Sequence, residues 1–176
     1  MKRPRSKLRL FLALAAFAYA ATWLDYAVAA PIAVPVDGVT AKGVPNGFRG
    51  AAHEGVDIFA KTGTAVRAVV HGVVVGRETQ SRGGNVVFVL GSNAVLYFYA
   101  HLDRWAAIER GSVVAPGTIL GYVGTTGNAK GRPPHLHFET RVLATGFAPV
   151  DPKLLIQATT PETRVQAAIR EIADPR

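Results

Sequence analysis

The chain has 176 residues, 49% of them apolar, and a formal net charge of +8. This length suits one domain rather than two, and the 18 glycines fit a fold of short strands and tight turns. The absence of cysteine excludes a disulfide framework and a thiolate metal site. No nucleic acid partner is expected, because the sequence has no motif that combines aromatic and basic residues.

Residues 1–29 have the order of an export signal, with a basic segment, an apolar segment and small residues at a cleavage site. Five basic residues fall within the first nine, and an uncharged apolar run follows at 10–24. We therefore expect export to the periplasm or cell envelope, with cleavage after about Ala29. The alternative is an uncleaved anchor through residues 8–24, which would hold the domain at the outer side of the inner membrane.

Residues 30–45 are expected to form an extended lead segment, and residues 46–156 a mainly β domain. Short apolar runs bounded by glycine, proline and polar clusters predict strands at 56–60, 65–70, 73–77, 85–90, 94–100, 119–123 and 136–142. Helix is expected only as a turn near 104–108 and in a tail at 157–176, where Thr160 suits the N-cap and Pro161 the first helical position. The sequence thus predicts a compact antiparallel β-sandwich-like domain, a short C-terminal helix and an N-terminal apolar export helix.

Histidines and an aspartate recur where these strands begin or end. His53 and Asp57 lie at the entry to the first strand, and His101 follows the apolar run at 94–99. His135 and His137 are two residues apart on the last strand, so both imidazoles leave the same face and address one cavity. Imidazole nitrogen and carboxylate oxygen are the ligands of a zinc site that keeps one position open for water. The pattern favours a metallohydrolase.

Several motifs spread over residues 36–152 strengthen this interpretation because they occur in a defined order. They are His53-Glu-Gly-Val-Asp57-Ile, Gly63-Thr-Ala-Val, Gly72-Val-Val, Tyr99-Ala-His101-Leu, Gly111-Ser-Val-Val-Ala-Pro-Gly, Gly124-Thr-Thr-Gly-Asn, Pro134-His135-Leu-His137-Phe-Glu139 and Val150-Asp-Pro152. In this order they resemble the LytM or lysostaphin-type zinc endopeptidases, which cut peptide bonds in bacterial cell-wall peptidoglycan. A lone pair of histidines would be a weak signal.

The resemblance implies a zinc cleft with one Zn²⁺ per chain, held by His53, Asp57 and His137. It leaves His101 and His135 unligated: one would take the proton of the attacking water, and the two would share proton delivery to the leaving amine and stabilisation of the oxyanion. The sequence does not apportion these roles. All five positions are occupied, whereas inert relatives typically lose some of them, so an active enzyme is expected.

The surroundings of these residues are predicted less directly. Loops around Phe48 and at 81–84, and the segment 128–132 that begins with Asn128, are expected to wall a substrate groove. Tyr97 and Tyr99 would place their phenols in the same cleft if they share a face with His101, and core packing is the alternative. Glu139 shares a strand face with His137, so it is either hydrogen bonded to that ligand or a solvated carboxylate.

The predicted function is that of a zinc-dependent endopeptidase, which hydrolyses peptide crosslinks of peptidoglycan through a metal-activated water. Its partners would be the peptide stems and crosslinks of the wall. Both a D-Ala to diaminopimelate crosslink and a glycine-containing bridge fit, and an export signal without a wall-targeting domain favours the periplasmic crosslink. The alternatives are a noncatalytic LytM-like regulator of another wall hydrolase and a zinc peptidase that acts on exported proteins.

Overall fold

The computed structural model describes residues 32–157, which form a mainly β structure. Within this range the strands are β1 (Gly55–Phe59), β2 (Ala65–Arg67), β3 (Gly72–Gln80), β4 (Gly84–Gly91), β5 (Val95–Trp105), β6 (Val113–Val114), β7 (Ile119–Val123), β8 (His135–Val142) and β9 (Ala148–Val150). A short helix, α1 (Pro152–Gln157), follows the last strand. Single 3-10 turns lie at Ala41–Gly43, Gly50–Ala52, Gly127–Ala129 and Leu143–Thr145.

All strand pairs are antiparallel, and the main sheet has the order β1-β8-β5-β4-β3-β6. β9 adds to β8, while β7 connects β5 to β2. At the centre, Asp57 of β1 lies opposite His137 of β8, and His137 lies opposite Ala100 of β5. A slip of one residue in this register would turn every side chain to the other face, so the pairing itself places the polar residues.

The two faces of the central strands have different roles because successive side chains point to opposite sides. One face forms the core with side chains that are fully buried, among them Val56, Ile58, Val87, Val89, Tyr97, Tyr99, Leu136 and Phe138. The other face forms the floor of an open cleft with the residues that alternate with them: Asp57, Phe88, Phe98, Ala100, His135 and His137. The sequence alternation therefore separates packing from a surface available for chemistry.

The structure confirms the seven predicted strands and differs in four other elements. The helical turn expected near 104–108 is wrong, because β5 continues to Trp105 and pairs there with Gly121 of β7. β6 and β9, which have two and three residues, were not predicted, and β2 is shorter than the predicted strand at 65–70. Helix α1 was also missed, although Asp151 accepts the Lys153 backbone N–H through its side chain at 2.9 Å and Pro152 occupies the first helical position.

Two predicted elements, the export segment at 1–29 and the tail helix from Thr160, lie outside the described residues. Across residues 32–157, no helix has the length and apolar character that crossing a membrane requires.

Candidate active site

Three of the predicted ligand residues lie together on the cleft floor. His53, Asp57 and His137 each offer one ligand atom, and these atoms all lie within 4.8 Å of one another. Asp57 and His137 meet because they are cross-strand partners, with 2.8 Å between Asp57 Oδ1 and His137 Nδ1. His53 enters from the end of the turn Gly50–Ala52, and its Nε2 lies 3.2 Å from Asp57 Oδ1.

The hydrogen bonds of His53 determine which of its nitrogens faces Asp57. Its Nδ1 lies 2.6 Å from the carbonyl oxygen of Gly47, and because a carbonyl oxygen only accepts, Nδ1 carries the proton. In the neutral ring Nε2 then presents a lone pair to a carboxylate oxygen. The lone pairs of His53 Nε2 and Asp57 Oδ1 repel each other unless a proton or a metal ion lies between them. These two atoms therefore suit a cation bound at this point.

His137 has a carboxylate at each ring nitrogen. Its Nε2 donates to Glu139 Oε1 at 2.9 Å, while its Nδ1 faces Asp57. Burial opposes protonation of His137, but the hydrogen bonds to Asp57 and Glu139 outweigh it and raise the pKa of the ring to about 9. A metal ion in place of the Nδ1 proton would satisfy Asp57 equally well and leave the Glu139 bond intact. Of the two alternatives considered for Glu139, the structure shows the hydrogen bond to His137 and not a solvated carboxylate.

Electrostatics keeps the carboxylates of the cleft ionised. Burial acts against ionisation of Asp57, but the hydrogen bond from His137 and the neighbouring imidazoles lower the pKa of Asp57 to about 2. Burial also opposes ionisation of Glu139, and its hydrogen bonds with His137 and Arg141 hold its pKa below the usual value. Arg141, which the sequence did not single out, donates from Nε to Glu139 Oε2 at 2.9 Å and also pairs with Glu54. Its place on the same face of β8, two residues after Glu139, is the signal that could have found it.

His101 and His135 lie beside this group and are almost fully enclosed, with 7% and 5% of their surfaces exposed. Their Nδ1 atoms lie 2.9 Å and 2.8 Å from the carbonyl oxygens of Thr126 and Pro133, so each ring keeps its Nε2 free of a proton when neutral. The centroids of the two rings are 5.0 Å apart, and His135 Nε2 lies 3.9 Å from Asp57 Oδ1. Burial and the neighbouring His135 lower the pKa of His101 to about 4.

A bulge in β5 turns His101 toward the cleft. Between the pairs Val87–Tyr99 and Asn85–Leu102, β5 has one more residue than β4, and His101 there adopts a positive φ of 63°. Its backbone N–H donates to Gly83 at 2.8 Å. A positive φ is uncommon for a residue other than glycine and is characteristic of functional sites, so the bulge re-aims one imidazole at the cost of local strain.

The same bulge explains an error in the predicted groove. Tyr97 and Tyr99 were assigned to the groove on the condition that they share a face with His101, with core packing as the alternative. Both are fully buried in the core, and Phe98 between them lines the cleft instead. Because the extra residue shifts the alternation by one, the face of His101 is not that of Tyr99. The groove role of the two tyrosines is therefore wrong.

The cleft has a volume of about 750 Å³, and its floor is partly aromatic. Phe88 and Phe98 pack there with ring centroids 4.8 Å apart and planes tilted by 34°, and the rings of Phe98 and His137 make a T-shaped contact. Asn128 lines the cleft, as predicted, whereas Phe48 does not. Four arginines also line the cleft; the loops that carry Arg49, Arg82 and Arg132 were predicted to do so, whereas Arg141 lies on β8.

Comparison with known proteins identifies relatives of this arrangement. Residues 51–152 match the sequence model of peptidase family M23. The DD-carboxypeptidase/endopeptidase Mpg of Neisseria meningitidis serogroup B is 37% identical over 110 residues, which cover 62% of this chain and 24% of that protein. The peptidoglycan DD-endopeptidase ShyC of Vibrio cholerae is 38% identical over 88 residues, which cover 50% of this chain and 20% of that protein.

Among solved structures, the catalytic domain of lysostaphin from Staphylococcus simulans matches with a TM-score of 0.56 and 28% sequence identity. The match covers 78% of this chain and 97% of that domain. The chain thus matches a whole catalytic domain in structure, but it spans less than a third of the length of the two curated relatives.

Proposed function

The chain belongs to peptidase family M23, and on that premise we propose that it is a zinc-dependent endopeptidase that hydrolyses peptide crosslinks of bacterial peptidoglycan. The names of its relatives, which include a peptidoglycan DD-endopeptidase, support the reaction and the substrate. The observation that carries the proposal is the convergence of four imidazole nitrogens and one carboxylate on a single cleft.

We assign one Zn²⁺ per chain to His53 Nε2, Asp57 and His137 Nδ1. In each of the two histidines the other ring nitrogen already donates, to Gly47 in His53 and to Glu139 in His137, so the remaining lone pair is aimed at the shared point. Two imidazoles and one carboxylate make the ligand set of a catalytic zinc that keeps a position for water. Bound zinc would act as a Lewis acid toward the scissile carbonyl and would make water more acidic.

Proton transfer belongs to His101 and His135 in this proposal. Each ring is fixed through Nδ1 to a backbone carbonyl and presents Nε2 to the cleft. One Nε2 accepts a proton from the attacking water. That ring, now an imidazolium, delivers the proton to the leaving amine, and the other ring, when protonated at Nε2, donates a hydrogen bond to the developing oxyanion.

A wall substrate requires the domain to lie outside the inner membrane. The basic-then-apolar order of residues 1–29 supports export to the periplasm or cell envelope. This location is part of the proposal.

The test uses the purified full chain and isolated wall sacculi. We expect about one zinc per chain by elemental analysis, as one three-ligand site requires. We also expect mass spectrometry to show crosslinked muropeptides converted to uncrosslinked ones. A chelator should stop the conversion and added zinc should restore it. Unchanged sacculi after incubation with the folded, zinc-loaded chain would contradict the proposal.

A further inference from the structure

Four arginines line the cleft, and they differ in whether an acidic residue neutralises them. Arg141 pairs with both Glu54 and Glu139. Arg49, Arg82 and Arg132 also line the cleft and are exposed, but within residues 32–157 none of their guanidinium groups has an ion pair or a side-chain hydrogen bond. Three permanent positive charges therefore face the cleft without an ion-pair partner among residues 32–157.

Each of these three arginines lies in a backbone segment that contacts or adjoins one of the histidines of the proposed active site. The backbone N–H of Arg49 donates to the carbonyl of His53 at 2.9 Å. Arg82 adjoins Gly83, whose carbonyl accepts the His101 N–H at 2.8 Å. Arg132 precedes His135 in the segment that enters β8. Three different segments thus bring one arginine each to the rim of the same cleft.

The acidic residues that line the cleft contact groups other than these three arginines. Glu54 and Glu139 are engaged by Arg141, and Asp57 contacts the imidazoles of His53 and His137. An anionic ligand in the cleft would meet three guanidinium groups that no described acidic residue pairs with. A guanidinium presents a planar fork of donors that matches a carboxylate in a bidentate manner, so a carboxylate is the anion that these side chains suit.

We propose that Arg49, Arg82 and Arg132 form a carboxylate-binding rim that selects acidic stem peptides as substrates. The three side chains come from separate segments of the rim, so a peptide that carries several carboxylates can engage more than one of them. A diaminopimelate-containing crosslink carries such groups beside the scissile amide, whereas a glycine bridge carries none within it. The inference rests on the proposed peptidase function and specifies the substrate class within it.

The test compares two crosslinked diaminopimelate peptides that share the scissile bond. One carries free carboxylates, and in the other the carboxylates outside the scissile amide are converted to amides. For the zinc-loaded full chain we expect a kcat/KM about tenfold higher for the free acid, since exposed ion pairs contribute roughly 1.5- to fivefold each. This preference should shrink as the NaCl concentration rises, because salt screens exposed charges.

Arginine-to-glutamine variants test which side chains produce the preference for the free-acid peptide. R49Q, R82Q and R132Q should each lower the ratio of the two kcat/KM values, and the triple variant should bring it close to one. R110Q is the matched control, because Arg110 is equally exposed, has no ion-pair partner among the described residues and lies outside the cleft lining. It should keep the full preference for the free acid.

The outcomes separate this inference from the proposed function. Equal cleavage of both peptides, or an undiminished preference in a triple variant that circular dichroism shows to be folded, overturns the carboxylate rim and leaves the peptidase function standing. Should the triple variant fail to fold, the three single variants decide. Cleavage of neither peptide by the zinc-loaded chain contradicts the proposed function itself, and the rim falls with it.

Discussion

Glu139 accepts the Nε2–H of His137 at 2.9 Å, and this bond makes Nδ1 the nitrogen of His137 that faces Asp57. The two residues share one face of β8, where Arg141 in turn holds the Glu139 carboxylate. A residue outside the proposed ligand set thus orients one of the ligands. Such an outer contact fixes both the tautomer and the ring orientation of a metal-binding histidine, so its loss lowers metal affinity.

Replacement of Glu139 should therefore weaken zinc binding without removing a ligand. We expect E139L to lower zinc affinity by about 10- to 100-fold. E139Q keeps an acceptor oxygen for the Nε2–H and should lose less. Competition with a chromophoric chelator measures both affinities. Equal affinities for E139L and the unaltered chain would show that Glu139 does not orient the ligand.

The zinc content of alanine variants should distinguish His101 and His135 from the proposed metal ligands. We expect H101A and H135A to retain about one zinc and to lose turnover by about a hundredfold to ten-thousandfold, the usual contribution of acid and base groups. H53A and H137A should lose the metal. Elemental analysis and peptide hydrolysis provide the two readouts. Loss of zinc in H135A together with its retention in H137A would exchange the roles of these two histidines.

The sequence was sufficient to find the five residues of the candidate site because their chemistry and order are distinctive. It placed Glu139 on the strand face of His137, since residues two apart on a strand share a face, but it left open whether the two side chains are hydrogen bonded. It missed the pairing of Arg141 with Glu54, because these two residues are far apart in the chain and meet only through the register of the folded sheet. Partners of this kind cannot be read from local spacing.

Strands longer than four residues were predictable from apolar alternation, and the errors lie where the alternation breaks. The bulge before Leu102 shifts the phase of β5, so Tyr97 and Tyr99 belong to the core although His101 belongs to the cleft. Nothing in the sequence marks that bulge, because the residue with the positive φ is a histidine rather than a glycine. Long-range pairing with β7 likewise extends β5 through the segment expected to form a helical turn.

Two glycines offer a matched test of how the loops support His101. Gly84 and Gly63 both have positive φ, of 64° and 86°, but a Cβ on Gly84 would collide with Thr126 and Gly127, whereas one on Gly63 would meet open space. We expect G63A to cost about 1–2 kcal/mol from backbone strain alone. G84A should cost clearly more and should also lower turnover, since Thr126 holds His101 through its carbonyl.

Thermal unfolding of both glycine variants, with peptide hydrolysis measured in parallel, checks this expectation. Equal destabilisation by G63A and G84A would indicate that the packing of Gly84 against Thr126 is unimportant for the fold.

The burial of Tyr97 predicts an effect on stability and none on catalysis. Its hydroxyl accepts a hydrogen bond from Asn93 Nδ2 at 2.7 Å, and both side chains are buried. Y97F would leave the amide without this partner, so we expect a loss of about 1–3 kcal/mol in unfolding free energy with an unchanged kcat/KM. Chemical denaturation and peptide hydrolysis test the two parts. A raised KM of Y97F with an unchanged unfolding free energy would indicate that Tyr97 contacts the substrate in the groove.

The variant D57A distinguishes an enzyme from a regulator in cells. A docking protein acts through its surface, so loss of one side chain inside the cleft should leave its effect on a partner intact. We expect instead that folded, exported D57A fails to rescue the wall phenotype of a strain that lacks the chain. Because metal loss can destabilise a domain, circular dichroism of the purified variant is the control. Full rescue by a zinc-free D57A protein would favour the regulator.

The proposed function depends on a metal held by His53, Asp57 and His137, which would enable this chain to cut wall crosslinks. Its most direct test is mass spectrometry of muropeptides from sacculi incubated with equal amounts of the unaltered chain and of folded D57A. We predict that the unaltered chain converts crosslinked muropeptides to uncrosslinked ones. D57A, with two protein ligands left, should hold no zinc and should produce no uncrosslinked muropeptides. The same products from zinc-free D57A would contradict the claim.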